Sequence, residues 1–343
     1  MTREILVPID GSNNAEAALD VAADIAARTA APLKILHIGL REPGPLAARA
    51  EAEEQAFAEA LEAGRWRSDY PEWPRHLQLL EYLGQGLLAE AKARAEARGA
   101  AEVATALDWG EAGERILDHA KHPPCDMIVM GSRGASALEG ALMGSVSHKV
   151  FHHAPCSCVT VHAREGRSGL DRVARILVPT DGSSHAVKAL ELAAVLAAKF
   201  GARLKLLHVL DRGTPPRALR AAVDPDRLDE ETLQALDQAE SEGAVAPSLG
   251  GLWPMLPDEA LQKIGTEVLA AAERNLAGKG PGEVETALLF GNPASLILST
   301  AEAEGADLIV MGMRGLGELE GLLLGSVSYK VNHLAPCSCI TVR

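Results

Sequence analysis

Hydrophobic positions along the chain fall into short unbroken runs separated by longer stretches with helical spacing. The first run, Ile5 to Ile9, ends in Asp10-Gly11-Ser12. A serine there is suited to cap a following helix, because its side-chain oxygen accepts an amide that the first turn leaves unbonded. Ala15, Leu19, Ala22 and Ala26 then recur at one-face helical spacing. A second strand is expected from Leu33 to Ile38, and a long helical region follows, interrupted at Pro71-Glu72-Trp73-Pro74. A third strand near Glu102 to Leu107, a helix, a fourth strand Met127 to Met130, a glycine loop, another helix and a last strand Val159 to Val161 complete the series. Apolar strands alternating with helices predict a parallel sheet covered on both faces.

The whole series occurs twice. Ile5-Leu6-Val7-Pro8-Ile9-Asp10-Gly11-Ser12 returns as Ile176-Leu177-Val178-Pro179-Thr180-Asp181-Gly182-Ser183, 171 positions later, and Leu36-His37-Ile38 returns as Leu207-His208-Val209. From Asp126-Met127-Ile128-Val129-Met130-Gly131 to Asp307-Leu308-Ile309-Val310-Met311-Gly312 the offset is 181, so the second half carries ten extra residues in its middle. That region holds a Gly/Pro-rich stretch from Gly243 to Pro257. The helical positions Ala186, Leu190, Ala193 and Ala197 match those of the first half. The expected organisation is one α/β domain over 1–163, a polar linker over 164–172, and a second domain over 173–343, each doubly wound and Rossmann-like. At 343 residues the chain has room for two such cores.

Chemistry concentrates after the fourth strand of each half. The first reads Gly131-Ser132-Arg133-Gly134, nine residues, then Gly144-Ser145-Val146-Ser147; the second reads Gly312-Met313-Arg314-Gly315, nine residues, then Gly325-Ser326-Val327-Ser328. A loop at the carboxyl end of a parallel strand lies where open α/β sheets bind ligands. Glycine lets main chain approach a phosphate without a Cβ in the way, and a helix opening at Ser145 or Ser326 presents amides and a positive dipole end to an anion. Arg133 and Arg314 sit inside the loops as second-rank phosphate partners. No Gly-Lys-Ser/Thr follows, so the loop is not a Walker motif, and it is not the Gly-x-Gly-x-x-Gly dinucleotide fingerprint.

Val7-Pro8-Ile9-Asp10-Gly11-Ser12, the Gly-x-x-Gly-x9-Gly-Ser loop and His153-Ala154-Pro155-Cys156 together resemble the universal stress protein family in its ATP-binding subgroup. The likeness spans nearly the whole chain apart from the long middle helical regions. It implies a five-stranded parallel sheet in each half, with adenine against Pro8, Ile9 and the Ile38 backbone, or Pro179, Thr180 and the Val209 backbone. It also implies Asp10 and Asp181 facing ribose or a phosphate-bound Mg2+, the glycines and serines of both loops around the triphosphate, and an internal pseudo-dimer packed through the last strands. An acid just before a helix start also favours the dipole whatever the ligand, and the two roles are compatible. The expected function is ATP binding in a stress-response or regulatory protein with a protein partner still to be identified. A slow Mg-dependent ATPase, or a scaffold whose sites are empty or hold lipid or metal, are the alternatives.

Charge and composition narrow this further. A net charge of −14 opposes binding to DNA or RNA at long range but leaves local capture of one nucleotide open. The start enters a strand directly and no apolar run approaches membrane-spanning length, so neither a signal peptide nor a membrane partner is expected. Five cysteines in a chain of this size read as reduced and cytoplasmic. The resemblance commonly includes Cys-Pro entering the last strand; here both halves have Cys-Ser-Cys. Cys156 and Cys158 with His152, His153 and His162 offer soft-metal donors, and Cys337 and Cys339 have only His333 near them; small core hydrophobes are the favoured reading of both pairs. Trp66, Trp73 and Trp253 are expected to pack inserted segments back onto the domains. His37 and His208 are expected to be half-buried strand residues.

Overall fold

The computed structural model describes residues 4–39, 47–134, 143–162, 173–245, 256–280, 282–316 and 324–343. The linker 164–172, Trp253 and the centre of the Gly/Pro-rich stretch lie outside the described residues. The chain divides into two compact units, Met1–Asp171 and Arg172–Arg343.

In the first unit the order is β1 Ile5–Ile9, α1 Asn13–Thr29, β2 Leu33–Gly39, α2 Ala47–Glu62, α3 Arg75–Ala97, β3 Val103–Trp109, α4 Ala112–Lys121, β4 Met127–Gly131, α5 Ser145–His153 and β5 Ser157–Val161. The strands lie in the order β3-β2-β1-β4-β5, all parallel, with Ile5 beside Leu33 and Met127, and Met127 beside Ser157. Strand order therefore reverses between β1 and β4. The carboxyl ends of those two strands form the crevice where such sheets take ligands. Ile5, Leu6 and Val7 are fully buried, each side chain contributing roughly 1.5–3 kcal/mol of transfer free energy. The expected α1 face is the buried one: Ala15, Leu19, Ala22 and Ala26 are each at most 5 % exposed, and Ser12 caps the helix by accepting the Ala15 amide at 3.2 Å. The edge strand β3 is the most exposed of the five, departing from the unbroken apolar pattern of the others.

Two buried carboxylates fix α1 against α3. Asp20 and Asp24 accept forked pairs of hydrogen bonds from Arg94 and Arg98 at 2.7–2.8 Å. The scarce aromatics gather beside the inserted helices. Trp66 packs edge to face with both Phe57 and Tyr82, which tilt against each other; Trp66 donates its ring N–H to Gln85, and Trp73 stacks on Tyr70. Trp66 and Trp73 thus pack their segment onto the domain.

The second unit repeats the plan: β6 Arg175–Pro179, α6 Ser184–Phe200, β7 Arg203–Leu210, α7 Pro216–Ala221, a 3-10 turn Pro225–Arg227, α8 Glu230–Val245, α9 Asp258–Leu276, β8 Val284–Phe290, α10 Pro293–Ala303, β9 Leu308–Gly312, α11 Ser326–Leu334 and β10 Ser338–Val342. Its parallel order is β10-β9-β6-β7-β8, with the same reversal between β6 and β9. Helices α7 and α8 occupy the insertion and pack with the start of α9 over the end of β7, around Leu210, Leu219, Leu236 and Ile264.

Candidate functional site

Each switch point opens into a cavity. In the first unit it measures ≈ 300 Å³ and is walled by Pro8, Ile9, Asp10 and Ile38 on the strand side, and by Gly131, Arg133, Gly134 and Gly144 through Ser147 on the loop side. In the second it measures ≈ 290 Å³, between Pro179, Thr180, Asp181 and Val209 and the loop residues Gly312, Arg314, Gly315 and Gly325 through Ser328. Residues far apart in sequence are thereby brought together around one cavity in each unit. Both cavities sit at the small end of the range for ligand sites.

Ser132 and Met313 do not belong to that wall, contrary to their place in the expected set. Their amides donate to Val161 and Val342 at 2.8 Å, and their side chains turn into the fold, 1 % and 2 % exposed. Alternation is the cause. Each follows directly on the last residue of a strand, and its amide extends the parallel ladder by one bond to the neighbouring strand.

Ser147 and Ser328 line the cavities with their hydroxyls already engaged: Ser147 donates to the Gly131 carbonyl at 2.8 Å and Ser328 to the Met313 carbonyl at 2.7 Å. These bonds tie the first turn of α5 or α11 to the strand end. Hydrogen bonding within each helix begins at His148 donating to Gly144, and at Tyr329 donating to Gly325, both at 2.9 Å. The amides ahead of them in the first turn have no acceptor inside the helix.

Asp10 and Asp181 hold the other wall. Asp10 accepts the Ser12 amide at 3.0 Å. Asp181 accepts the Ser183 amide at 3.0 Å with one oxygen and the Leu316 amide at 3.0 Å with the other. The glycines make that approach feasible: a Cβ on Gly134 would stand 2.5 Å from the Asp10 carboxylate, and one on Gly315 2.6 Å from that of Asp181. Ser183, besides capping α6, donates to the Arg314 carbonyl at 3.3 Å.

Arg314 brings a cation to the second cavity, and its Nε is buried with no acceptor among the described residues. Its charge adds to burial in pushing the His185 imidazole below the ordinary histidine range. An unanswered buried guanidinium nitrogen costs free energy that an anion would recover.

His37 and His208 are 5 % and 4 % exposed, more deeply buried than expected. Their Nδ1 atoms lie 2.8 Å from the Ile9 carbonyl and 2.7 Å from the Thr180 carbonyl. A carbonyl only accepts, so Nδ1 carries a proton and donates it. Burial lowers both imidazoles. Their Nε2 atoms are buried without a partner among the described residues. The histidines pin the second strand to the first, and His208 also lines the second cavity.

All five cysteines are buried thiols. Cys337 and Cys339 belong to the second unit's core with Leu177, Ile309 and Val331. Cys156, which the sequence pairs with Cys158, lies with its sulfur 3.3 Å from that of Cys125. Sequence reading missed this contact because 31 residues separate the two.

A parallel sheet whose strand order reverses beside a glycine-bearing loop that opens onto a helix N-terminus defines a Rossmann-like α/β class of domain, here present twice. The chain belongs to the universal stress protein family: the family model, described as Universal stress protein family, matches residues 1–162 and 173–343. A universal stress protein of Mycolicibacterium smegmatis is 28% identical over 349 residues, 99% of this chain and 96% of its own length. The universal stress protein YxiE of Bacillus subtilis is 32% identical over 171 residues, 49% of this chain and 98% of its own. A universal stress protein of Archaeoglobus fulgidus, known from its crystal structure, shares the fold with a TM-score of 0.59 at 21% identity, over 100% of this chain and 99% of that one. Among the described residues no helix is long and apolar enough to cross a membrane.

Proposed function

We propose that this protein is a nucleotide-responsive regulatory protein that binds ATP in both cavities. The observation carrying this reading is the wall that each cavity shares: strand-end residues on one side, and on the other a glycine loop leading into the first turn of a helix. That wall would offer strand-end apolar residues to a base and main-chain amides to a polyphosphate. In the first unit the base would lie by Ile9 and Ile38, and in the second by Thr180 and Val209. Arg133 and Arg314 would add charge to the phosphate end, Arg314 with a nitrogen that has no acceptor among the described residues.

Mg2+ would enter with the phosphates. The donor set fits: a phosphate-bound Mg2+ commonly takes one or two carboxylates, phosphate oxygens and waters, and Asp10 lines the first cavity while Asp181 and Asp211 line the second. Mg2+ would neutralise phosphate charge there, while the chain's own groups position the nucleotide. Nucleotide occupancy would then bias the glycine loops between arrangements that a protein partner distinguishes.

The test is isothermal titration of the full chain with ATP, with and without Mg2+, alongside nucleotide analysis of freshly purified, denatured protein. Two sites per chain are expected, and Gly315→Val should remove one of them by displacing the Asp181 carboxylate and obstructing the loop. Binding that is absent from the wild type, or undiminished in the variant, overturns the proposal.

A further inference from the structure

We propose that Cys125 and Cys156 form a redox-active dithiol, which a small peroxide converts to a disulfide in the first unit alone. The two sulfurs are 3.3 Å apart, and both residues are nearly buried, 5 % and 6 % exposed, at the amino ends of neighbouring strands. Ser157 starts β5 directly after Cys156 and donates to the Asp126 carbonyl at 3.2 Å. That bond holds the two backbones side by side just where the thiols meet. A disulfide brings its sulfurs to about 2 Å, so a closure of little more than an ångström completes the bond. Hydrogen bonding from Cys156 holds the Cys125 thiol below its ordinary value, which favours the attacking thiolate there.

The chemistry balances with hydrogen peroxide as the oxidant. The Cys125 thiolate attacks one peroxide oxygen, the O–O bond breaks, and the second oxygen leaves as hydroxide, which takes a proton to become water. The Cys125 sulfenic acid that results is then attacked by the Cys156 sulfur. The S–S bond forms, the S–OH bond breaks, and the departing hydroxide takes the Cys156 proton. One peroxide is reduced to two waters as two thiols are oxidised.

The bond would enclose β4, the Gly131–Gly134 loop, α5 and the turn into β5, a span that includes the loop and helix start lining the first cavity. The second unit has no counterpart. Ala306 stands where the first unit has Cys125, 3 % exposed, and its amide donates to Ala301 at 2.8 Å just as Cys125 donates to Ala120 at 3.0 Å. Each unit therefore accepts an alanine-sized or cysteine-sized side chain at this corner, and Cys125→Ala reproduces a packing already present in the protein.

The test treats the full-length protein with hydrogen peroxide under native conditions, alkylates it in denaturant, and maps peptides without reduction. Wild type should fall from five alkylatable thiols by two, with a Cys125–Cys156 cross-linked peptide that dithiothreitol releases. Cys158, Cys337 and Cys339 should remain alkylated. Cys125→Ala should keep all its thiols under the same treatment. Oxidised wild type should also unfold at a higher temperature than reduced wild type, a shift absent from the variant, because the cross-link restricts the unfolded chain. Five thiols retained in wild type, a Cys156–Cys158 bond, intermolecular cross-links, or a Cys125 sulfinic acid without the cross-link would each overturn the proposal.

Discussion

The Asp181 carboxylate accepts the backbone amide of Leu316 at 3.0 Å, across 135 residues of sequence. Its other oxygen accepts Ser183 at 3.0 Å. One side chain therefore couples the β6–α6 turn to the glycine loop after β9. The sequence offered this aspartate as a ligand group or a dipole partner; the structure adds a third role, as the acceptor that sets the loop's shape. Asp181→Ala should lower the second unit's stability by about 1–3 kcal/mol, since hydrogen bonds to a charged acceptor are worth more than neutral ones. ATP affinity at that site should fall about tenfold or more, the equivalent of ~1.4 kcal/mol. Denaturant melts and calorimetric titration of the variant check both, and lowered stability with unchanged affinity would separate the loop from binding.

Gly131 and Gly312 lie at the strand ends against main chain. A Cβ at either would meet backbone atoms of Asn14, or of His185 and Ala186, at 2.8 Å. Backbone in a helix start yields little, so Gly131→Ala and Gly312→Ala should each cost about 1–3 kcal/mol by overpacking. Gly86, exposed on α3 with nothing near its would-be Cβ, supplies the opposite case. Gly86→Ala should stabilise by about 0.5–1 kcal/mol through helix propensity alone. Equal effects at the three positions in urea melts would refute the assignment of close approach.

Ala30 ends α1 in the left-handed region, with φ 53° and ψ 37°, whereas the equivalent end of α6 has Gly201 at φ 66° and ψ 28°. A Cβ is unfavourable there. Ala30→Gly should raise stability by about 0.5–1 kcal/mol after glycine's extra unfolded-state entropy is counted. Differential scanning calorimetry should show the first unit melting a few degrees higher; a lower midpoint would contradict it.

Burial lowers the folded-state imidazoles of His37 and His208. The unfolded chain then binds a proton more readily than the folded one. Stability from each histidine is complete above the ordinary value near 6.5 and is lost as pH falls from there toward the lowered folded value. The slope approaches about 1.4 kcal/mol per pH unit for each histidine. Urea melts between pH 7.5 and 5.5 should show this loss, and His208→Gln should flatten it for the second unit. A slope unchanged by that substitution would show that other groups carry it.

The fold was legible in the sequence because its pieces are local and repeated. Ala15 to Ala26 and Ala186 to Ala197 announce a helix face by spacing, and Ser12 and Ser183 announce its start by their capping oxygens. The glycine loops were legible because a close main-chain approach excludes every other residue type. Helices α7 and α8 were blurred by the insertion, which follows no repeated pattern.

Hydrophobic periodicity and duplication within this one chain determined two α/β units, their strand order of appearance, and the two glycine loops that line the cavities. Only the tertiary structure decided that Ser132 and Met313 turn inward, that Ser147 and Ser328 spend their hydroxyl protons on strand-end carbonyls, and that Cys156 meets Cys125 rather than working with Cys158. Those outcomes depend on which backbone groups already have partners and on which strands lie side by side. Both are settled by contacts between residues distant in sequence, and the local alternation of polar and apolar positions does not encode them.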